Sequence, residues 1–434
     1  MVKRRSKSPK RIKRVSKSPK RVKRVKRVSK SPKRPKRVKR VSKSPKSKFS
    51  KLTAQVASGL KKKFKQSPKQ SPKQSPKQSP KNEDVGIIML HLPPKDRITL
   101  NTAVAYNNKP INITYTRMKT PSFDMWFKSN PSAKLNVTID KTDTNVFEFL
   151  YNFRNNINGL ACRNINKLSE DIGKFLNLKI LFLTGNQLTQ LPSSIGELKN
   201  LQCMYLRDNK LKQLPENIGN LKQLQYLNLY GNELIQLPES IGKLENLQKL
   251  DLGHNPLKKL SESIGKLKRL ETLHLNGTDL TQLPESIGEL KNLQKLVLQL
   301  SQFAQLPKSI GYLTNLKELY LGENNLTLLP DSIGHLTNLK IIDLSGNKLT
   351  TLPDSIGQLK NLQNLYLYNN DLTTLPDSIG QLNNLQYLDI SDNKLTKLPE
   401  SIGHITKLKE LYLDGNKLPK SKQLEKLLKR INKQ

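Results

Sequence analysis

The chain has 434 residues, with 77 Lys/Arg against 34 Asp/Glu and a formal net charge of +43. Residues 1–81 hold 34 of the basic residues and no acidic one, so the other 353 residues carry a net charge of only +9. Two cysteines, Cys162 and Cys203, exclude a disulfide-stapled fold and a multi-cysteine metal cluster, and the longest apolar run, Val85 to Leu92, falls well short of the roughly 20 residues that span a bilayer.

From Lys3 onward the N-terminus is basic, and no apolar segment of signal-peptide length follows it. The expectation is an intracellular protein. Nuclear placement is favoured, with the cytoplasm or a viral particle left open.

Residues 1–81 are written in two low-complexity phrases. Variants of Val-Ser-Lys-Ser-Pro-Lys-Arg run to Lys46, and four copies of Gln-Ser-Pro-Lys run from Gln66 to Lys81. So polar a segment buries too little apolar area to offset the entropy of ordering its backbone, and the expectation is a disordered basic tail. A polycation of this kind neutralises phosphates and releases counterions, which binds DNA or RNA without reading bases and weakens with salt. Phe49 and Phe64 are its only aromatic residues, so base stacking adds little. The clusters Lys20 to Arg27 and Lys33 to Arg40 also fit nuclear import signals, and a solubilising or membrane-surface role uses the same charge.

The Ser-Pro-Lys-Arg runs at Ser8, Ser18 and Ser31 resemble the tails of linker histones. The resemblance implies phosphorylation by proline-directed kinases. At about −1.5 to −2 per phosphate, three modified serines cancel roughly 5 of the tail's positive charges. Within the tail, Phe49, Leu52, Val56, Leu60 and Phe64 fall at helical spacing, and a helix this short frays in isolation.

Residues 82–159 show no repeat. They hold short β-rich runs, Ile111 to Met118 and Lys134 to Ile139, and an apolar run from Val146 to Phe153. The expectation is an N-terminal capping module of unknown fold with Trp126 in its core. Asn112 and Asn136 stand in glycosylation sequons, which are silent without a secretory route.

Residues 160–419 are periodic. Leu-x-x-Leu-x-Leu-x-x-Asn-x-Leu recurs with asparagine at Asn186, Asn209, Asn232, Asn255, Asn324, Asn347, Asn370, Asn393 and Asn416, and Thr278 and Ser301 stand in the two gaps. The period is 23 throughout, without insertion or deletion. Between these phrases runs Leu-Pro-x-Ser-Ile-Gly-x-Leu-x-Asn-Leu. The pair of phrases resembles the typical-class leucine-rich repeats, closest to their Ras-group type. The resemblance implies an α/β fold, a right-handed solenoid with a concave parallel β-sheet and short 3₁₀ or helical turns on the convex side.

The physics of the pattern agrees. Leu-x-Leu points alternate residues to opposite faces of a strand, and a 23-residue coil cannot bury its leucines alone, so each coil completes its neighbour's core. About eleven coils at ~4.8 Å make a sheet roughly 50 Å long. The asparagine amide is expected to turn inward and pair with backbone groups, with the hydroxyls of Thr278 and Ser301 meeting part of that demand. Residues 420–434, with Leu424, Leu427, Leu428 and Ile431 at helical spacing, read as a C-terminal helical cap. Coils four to six are irregular, with Ser261 in place of proline and Leu300 where other coils have Gly, Asp, Glu, His or Asn. Sequence drift explains this most simply.

The resemblance also implies that partners bind the variable residues between the strand leucines. Eight of the twelve tyrosines lie there, Tyr205, Tyr226, Tyr230, Tyr320, Tyr366, Tyr368, Tyr387 and Tyr412, joined by Phe182. Asp251, Glu318, Asp343, Asp389, Glu410 and Asp414 outnumber Arg207, Lys249 and Lys295. The central column of coils seven to eleven reads Tyr320, Asp343, Tyr366, Asp389, Tyr412, a striped row suited to a basic protein segment. The bland alternative is that tyrosine and aspartate merely suit strand surfaces; a further candidate ligand is the chain's own tail.

Catalytic, cofactor and metal signatures are lacking: no phosphate-binding loop, kinase set or dinucleotide fingerprint occurs, and Cys203, His254 and His274 occupy different columns. The reading is a non-enzymatic interaction scaffold or adaptor with a nucleic-acid-binding tail and no cofactor. The alternatives are a nucleic-acid packaging or chromatin-like protein, and a Ras-associated type of signalling scaffold whose tail is only a localisation signal.

Overall fold

The structure is a computed structural model that describes residues 110–140 and 145–431. The basic tail, its phosphorylation candidates and the run from Phe49 to Phe64 lie outside these residues, as does the first part of the capping module.

Among the described residues fourteen strands, β1 (Ile111–Thr114) to β14 (Glu410–Tyr412), form one parallel sheet in chain order. From β4 (Ile180–Phe182) onward each strand is three residues long, and each as far as β13 (Tyr387–Asp389) is followed by a five-residue 3₁₀ turn such as Glu239–Lys243. Local chemistry sets that turn. Pro238 at its N-cap has φ −68°, which proline's ring pre-sets, and its missing amide is one that a helix start leaves unpaired anyway. The glycine of Ser-Ile-Gly is a packing requirement: a Cβ on Gly219 would lie 2.5 Å from the Ser240 carbonyl oxygen of the next coil.

Inward letters stack in file. Leu181 pairs in register with Met204, and Met204 with Leu227, all fully buried. Each buried leucine contributes roughly 1.5–3 kcal/mol relative to exposure, so stability accrues coil by coil.

The asparagines form a ladder along the array with one interruption. Asn232 Nδ2 donates to the carbonyls of Leu206 and Leu229, both at 3.0 Å, and its Oδ1 accepts from the Leu211 amide at 3.0 Å. Asn209, Asn255, Asn324, Asn347, Asn370 and Asn393 repeat this pattern, as do Asn186 and Asn416 at its ends. Where the ladder is interrupted, two hydroxyls pair: Thr278 Oγ1 donates to the Leu275 carbonyl at 2.9 Å and lies 3.2 Å from Ser301 Oγ, which accepts the Thr278 amide at 3.2 Å. Leu257, lacking an asparagine acceptor, turns its amide back to the Asn255 carbonyl at 2.8 Å.

The irregular coils keep the sheet register. Leu300 holds the left-handed position with φ 56° and is 58% exposed. Ser261 caps its turn by accepting the Ser263 amide on Oγ at 3.0 Å.

Before the periodic array, β1, β2 (Leu135–Ile139) and β3 (Ile157–Cys162) extend the same sheet. Paired residues there are 24 apart for Ile113 and Val137, 23 for Val137 and Leu160, and 21 for Leu160 and Leu181. Short helices α1 (Tyr115–Met118), α2 (Pro121–Ser129) and α3 (Val146–Tyr151) lie between these strands. Thr120 Oγ1 accepts the Phe123 amide and Pro121 opens α2. Phe123, 1% exposed, packs against Trp126, Phe127 and Phe153, which places Trp126 against the core. At the other end, α4 (Lys422–Ile431) buries Leu427 and Ile431 against the last coil. Its Arg430 donates to the carbonyls of Gly403 at 2.6 Å and Ile405 at 3.0 Å. No helix among the described residues is long and apolar enough to cross a membrane.

Candidate binding face

In each three-residue strand from β4 onward the central residue faces the core, and the residues on either side of it face the open surface of the sheet. Parallel in-register pairing then sets the same outward letter of successive coils side by side.

The aromatic residues gather in two groups. In the first, Phe182 stacks on Tyr205 with ring centroids 4.6 Å apart and planes 13° from parallel, and Tyr205 meets Tyr226 at 5.0 Å. The Arg207 guanidinium sits 4.5 Å over Tyr230, which also meets His254 at 4.8 Å. In the second group Tyr366 meets Tyr387 at 4.8 Å and Tyr387 meets Tyr412 at 5.3 Å. The phenylalanine and tyrosine rings of both groups, with Tyr320 and Tyr368, are half-buried, and His254 is exposed. Burial pushes the Tyr205 phenol up to about 12, and the hydrogen bond to Glu410 leads in pushing Tyr412 up to about 12. These two phenols are neutral hydrogen-bond donors at ordinary pH.

Tyr320, Asp343, Tyr366, Asp389 and Tyr412 are successive register partners. The row exists, but Asp343 is not presented by it. Asp343 is 2% exposed. Its Oδ1 accepts from the Ser345 amide at 3.0 Å and hydroxyl at 2.6 Å, and its Oδ2 accepts from Gln299 Nε2 at 2.7 Å. Gln299 lies two coils away, and the carboxylate crosses to it over Gly322, where a Cβ would come within 3.2 Å of Oδ2. Asp343 is therefore a clamp between coils rather than a contact residue, and burial raises its pKa. Asp389 is half-buried, bonded to the Ser391 amide and hydroxyl, and raised by burial as well. Asp414 is exposed.

Two contacts were not read as a unit in the sequence. Tyr320 donates its hydroxyl to Glu318 Oε2 at 3.1 Å. Lys295, on the preceding strand, places Nζ 2.8 Å from the same oxygen and 5.0 Å from the Tyr320 ring centroid. Tyr412 likewise donates to Glu410 Oε2, at 2.7 Å. The signal was available: Glu-Leu-Tyr occurs at residues 318–320 and again four periods later at 410–412. A second asparagine series stands in the phrase Leu-Pro-x-Ser-Ile-Gly-x-Leu-x-Asn-Leu, but its bonding role was not read from it. Asn246, Asn292 and Asn338 on the outer turns donate to the carbonyls of Lys222, Lys268 and Thr314 at 2.7 to 2.9 Å.

The candidate reactive groups stay apart. Cys203 and His274 occupy different columns, and His274 Nδ1 is 3.7 Å from Asp251 Oδ2. Burial raises both thiols, Cys162 to about 12, which keeps them in the less nucleophilic protonated form. Among the described residues no group of His, Cys, Asp and Glu is arranged to hold a metal ion.

A family model described as leucine-rich repeat region matches residues 160–252, 208–296 and 263–337, and one described as leucine rich repeat matches 314–372 and 360–418. No curated protein matches the chain in sequence. Among solved structures, a leucine-rich repeat protein of Leptospira interrogans is 32% identical with a TM-score of 0.58, covering 74% of this chain and 94% of that one. The plant peptide hormone receptor RGFR1, in complex with RGF2, is 33% identical with a TM-score of 0.56 over 65% of this chain and 47% of that one. The Drosophila Toll–Spatzle complex, 23% identical with a TM-score of 0.57 over 71% of this chain and 46% of that one, shares the fold. Period, sheet, asparagine ladder and these matches together make the chain a member of the leucine-rich repeat family, whose fold is a scaffold for protein–protein interaction.

Proposed function

We propose that the protein is a non-enzymatic adaptor that holds a protein segment on the open face of its sheet and nucleic acid on its basic tail. The observation that carries the first half is the double set of half-buried, ring-stacked aromatic residues on that face. Such rings supply large contact area at low entropic cost, and contiguous exposed apolar patches mark interaction surfaces. The carboxylates of the C-terminal coils favour a basic segment. That the similar plant receptor is a peptide hormone receptor supports the reading at the level of fold.

The second half rests on charge: 34 Lys/Arg and no acidic residue in residues 1–81, a composition that binds phosphate backbones through counterion release.

Each half has its own test. Replacing Tyr366 and Asp389 together with alanine is expected to abolish capture of basic protein partners by the nuclease-treated full chain while its circular dichroism melt persists; unchanged capture removes the face from the proposal. For the tail, a full chain with the Lys/Arg of residues 1–46 changed to glutamine is expected to lose duplex DNA binding and its salt dependence. If binding persists, the tail is not the ligand site.

A further inference from the structure

The two Glu-Leu-Tyr triplets differ in one respect that the sequence fixes. At 318–320 the preceding strand supplies Lys295, whose ammonium reaches the Glu318 carboxylate and lies over the Tyr320 ring. At 410–412 the residue in register on the preceding strand is Tyr387, which stacks on Tyr412 instead. The carboxylate and phenol are joined in the same way at both places, with tyrosine donating to Oε2. Among the described residues no lysine or arginine forms an ion pair with Glu410. Glu410 is exposed, Tyr412 is half-buried, and exposed Asp414 lies two residues further on.

We propose that Glu410 and Tyr412, with Asp414 beside them, receive one lysine ammonium group from an extended segment of a partner protein, in the manner that Lys295 is received inside the chain. This deepens, and rests on, the reading of the open face as a protein-binding surface. The molecule itself shows the chemistry. A carboxylate held by a phenol keeps one lone-pair direction for an ammonium donor, and the ring below contributes cation–π attraction that desolvation strengthens. Position adds to it. Tyr412 belongs to the terminal strand of the sheet, so one side of its ring has no neighbouring strand. The outward strand positions of the last five coils hold no lysine or arginine and five carboxylates, of which Glu318 is paired with Lys295 and Asp343 is buried, leaving Asp389, Glu410 and Asp414 toward a ligand.

The exposed acidic row on the outer turns, Glu216, Glu239, Glu262, Glu285, Asp331, Asp354, Asp377 and Glu400 among it, is a weaker candidate. Its members sit at the starts of 3₁₀ turns, and Glu262 and Glu285 accept backbone amides of the following coil. That role accounts for their charge without a ligand.

The test uses the full chain, dilute tetralysine as the probe and a carbodiimide, which activates a carboxylate so that a deprotonated lysine amine attacks it to form an amide and release the urea; a carboxylate that holds a bound lysine couples in excess over one that meets it only by diffusion. Peptide mapping of the Lys295–Glu318 cross-link serves as the internal control. Tetralysine is expected to couple at Glu410 at least about tenfold more than at Asp354 on the outer turns, and ~0.5 M salt is expected to leave part of that excess, because a partly buried pair is screened less than an exposed one. Nε-acetylated tetralysine is expected not to couple. Tyr412→Leu is expected to remove most of the excess at Glu410, and Tyr412→Phe to remove less of it; equal thermal melts establish that both are folded. Coupling at Glu410 no greater than at Asp354, or unchanged in Tyr412→Leu, overturns the proposal. Coupling at Asp389 or Asp414 without Glu410 overturns it while sparing the face as a binding surface, and coupling only on the outer turns defeats both. Glu410 joined to lysines of residues 1–81, to the exclusion of tetralysine, overturns the assignment to a partner.

Discussion

The two halves of the open face share a backbone and an interior but not a charge plan. In the coils from Phe182 to Lys295 the aromatic residues meet cations from within the chain, with Arg207 over Tyr230 and Lys295 over Tyr320 at their boundary. In the coils from Glu318 to Asp414 the stacked rings of Tyr366, Tyr387 and Tyr412 are surrounded by carboxylates instead. The inward letters do not register this change: leucines remain fully buried and the asparagine ladder runs on both sides of it. A solenoid separates the two tasks because its interior repeats by necessity and its outward letters are free to vary.

If that separation is right, the largest effects come from the interior and are alike in both halves. Asn232→Ala and Asn347→Ala each leave one buried amide, of Leu211 or Leu326, without its acceptor, and take one of two asparagine donors from each of two carbonyls, which keep the donor of a neighbouring coil. Each is expected to cost roughly 2–4 kcal/mol in urea unfolding, the unpaired amide plus two lost hydrogen bonds, against roughly 1–2 kcal/mol for Ser301→Ala, which frees the Thr278 amide. Costs that differed strongly between Asn232 and Asn347 would mean that the halves are not equivalent inside.

On the surface the halves are expected to part company. Tyr387→Ala with Tyr412→Ala removes the C-terminal stack and is expected to weaken tetralysine binding by about tenfold, while Phe182→Ala with Tyr205→Ala leaves it unchanged, since aromatic contacts of this kind are worth about 1 kcal/mol each. Isothermal titration of the full chain decides between them. Equal losses from both pairs would make the charge division irrelevant to recognition.

How legible all this was in the sequence depended on repetition. The period located every strand from Ile180 to Tyr412 and every ladder asparagine, because one structural demand was restated at each coil. Strands β1 and β2 fall within the β-rich runs read at 111–118 and 134–139, but β3 and the continuity of all three with the repeat sheet escaped, because their partners fall 24, 23 and 21 residues apart and an aromatic cluster around Phe123 stands in for leucines. The site was half legible. Periodicity tells which face Asp343 occupies, not how deep it sits; its burial depends on Gly322 in one neighbouring coil and Gln299 in the next, a contact that no single repeat spells out. The pairing of Glu410 with Tyr412 was written as a recurring triplet, but its meaning came from Lys295, which lies in another coil.

Asp343 supplies a smaller prediction, confined to the C-terminal half. Burial raises its pKa above the ordinary 3.8, so the fold favours the protonated form. Its stabilising contribution is then fully present below about pH 4 and is lost as pH rises through the raised value. Asp343→Asn keeps an acceptor for Ser345, and Gln299 turns its amide to accept instead. The variant is expected to match the parent at low pH, to be modestly more stable at pH 7, and to flatten the profile between the two. Urea midpoints at both pH values measure it, and a loss of stability at pH 7 would show that the carboxylate's charge is needed where it lies.

The smallest effect is expected where the coils are irregular, within the N-terminal half. Ser261 stands where its neighbours have proline, yet its φ of −68° and ψ of 149° already match theirs. Proline there would narrow the unfolded ensemble, a gain of about 0.4–1 kcal/mol, and Leu260 before it already stands where the other coils place leucine before proline. Against this, Ser261→Pro removes the hydroxyl that caps the Ser263 amide and meets Glu239 Oε1 at 2.6 Å, and such a cap is worth about 0.5–2 kcal/mol. The two contributions oppose and nearly cancel, so the melting temperature is expected to move little, and downward if at all. A clear rise would mean that the serine cap contributes almost nothing in a 3₁₀ turn already held by its neighbours on both sides, and that this coil differs from the others only in its spelling.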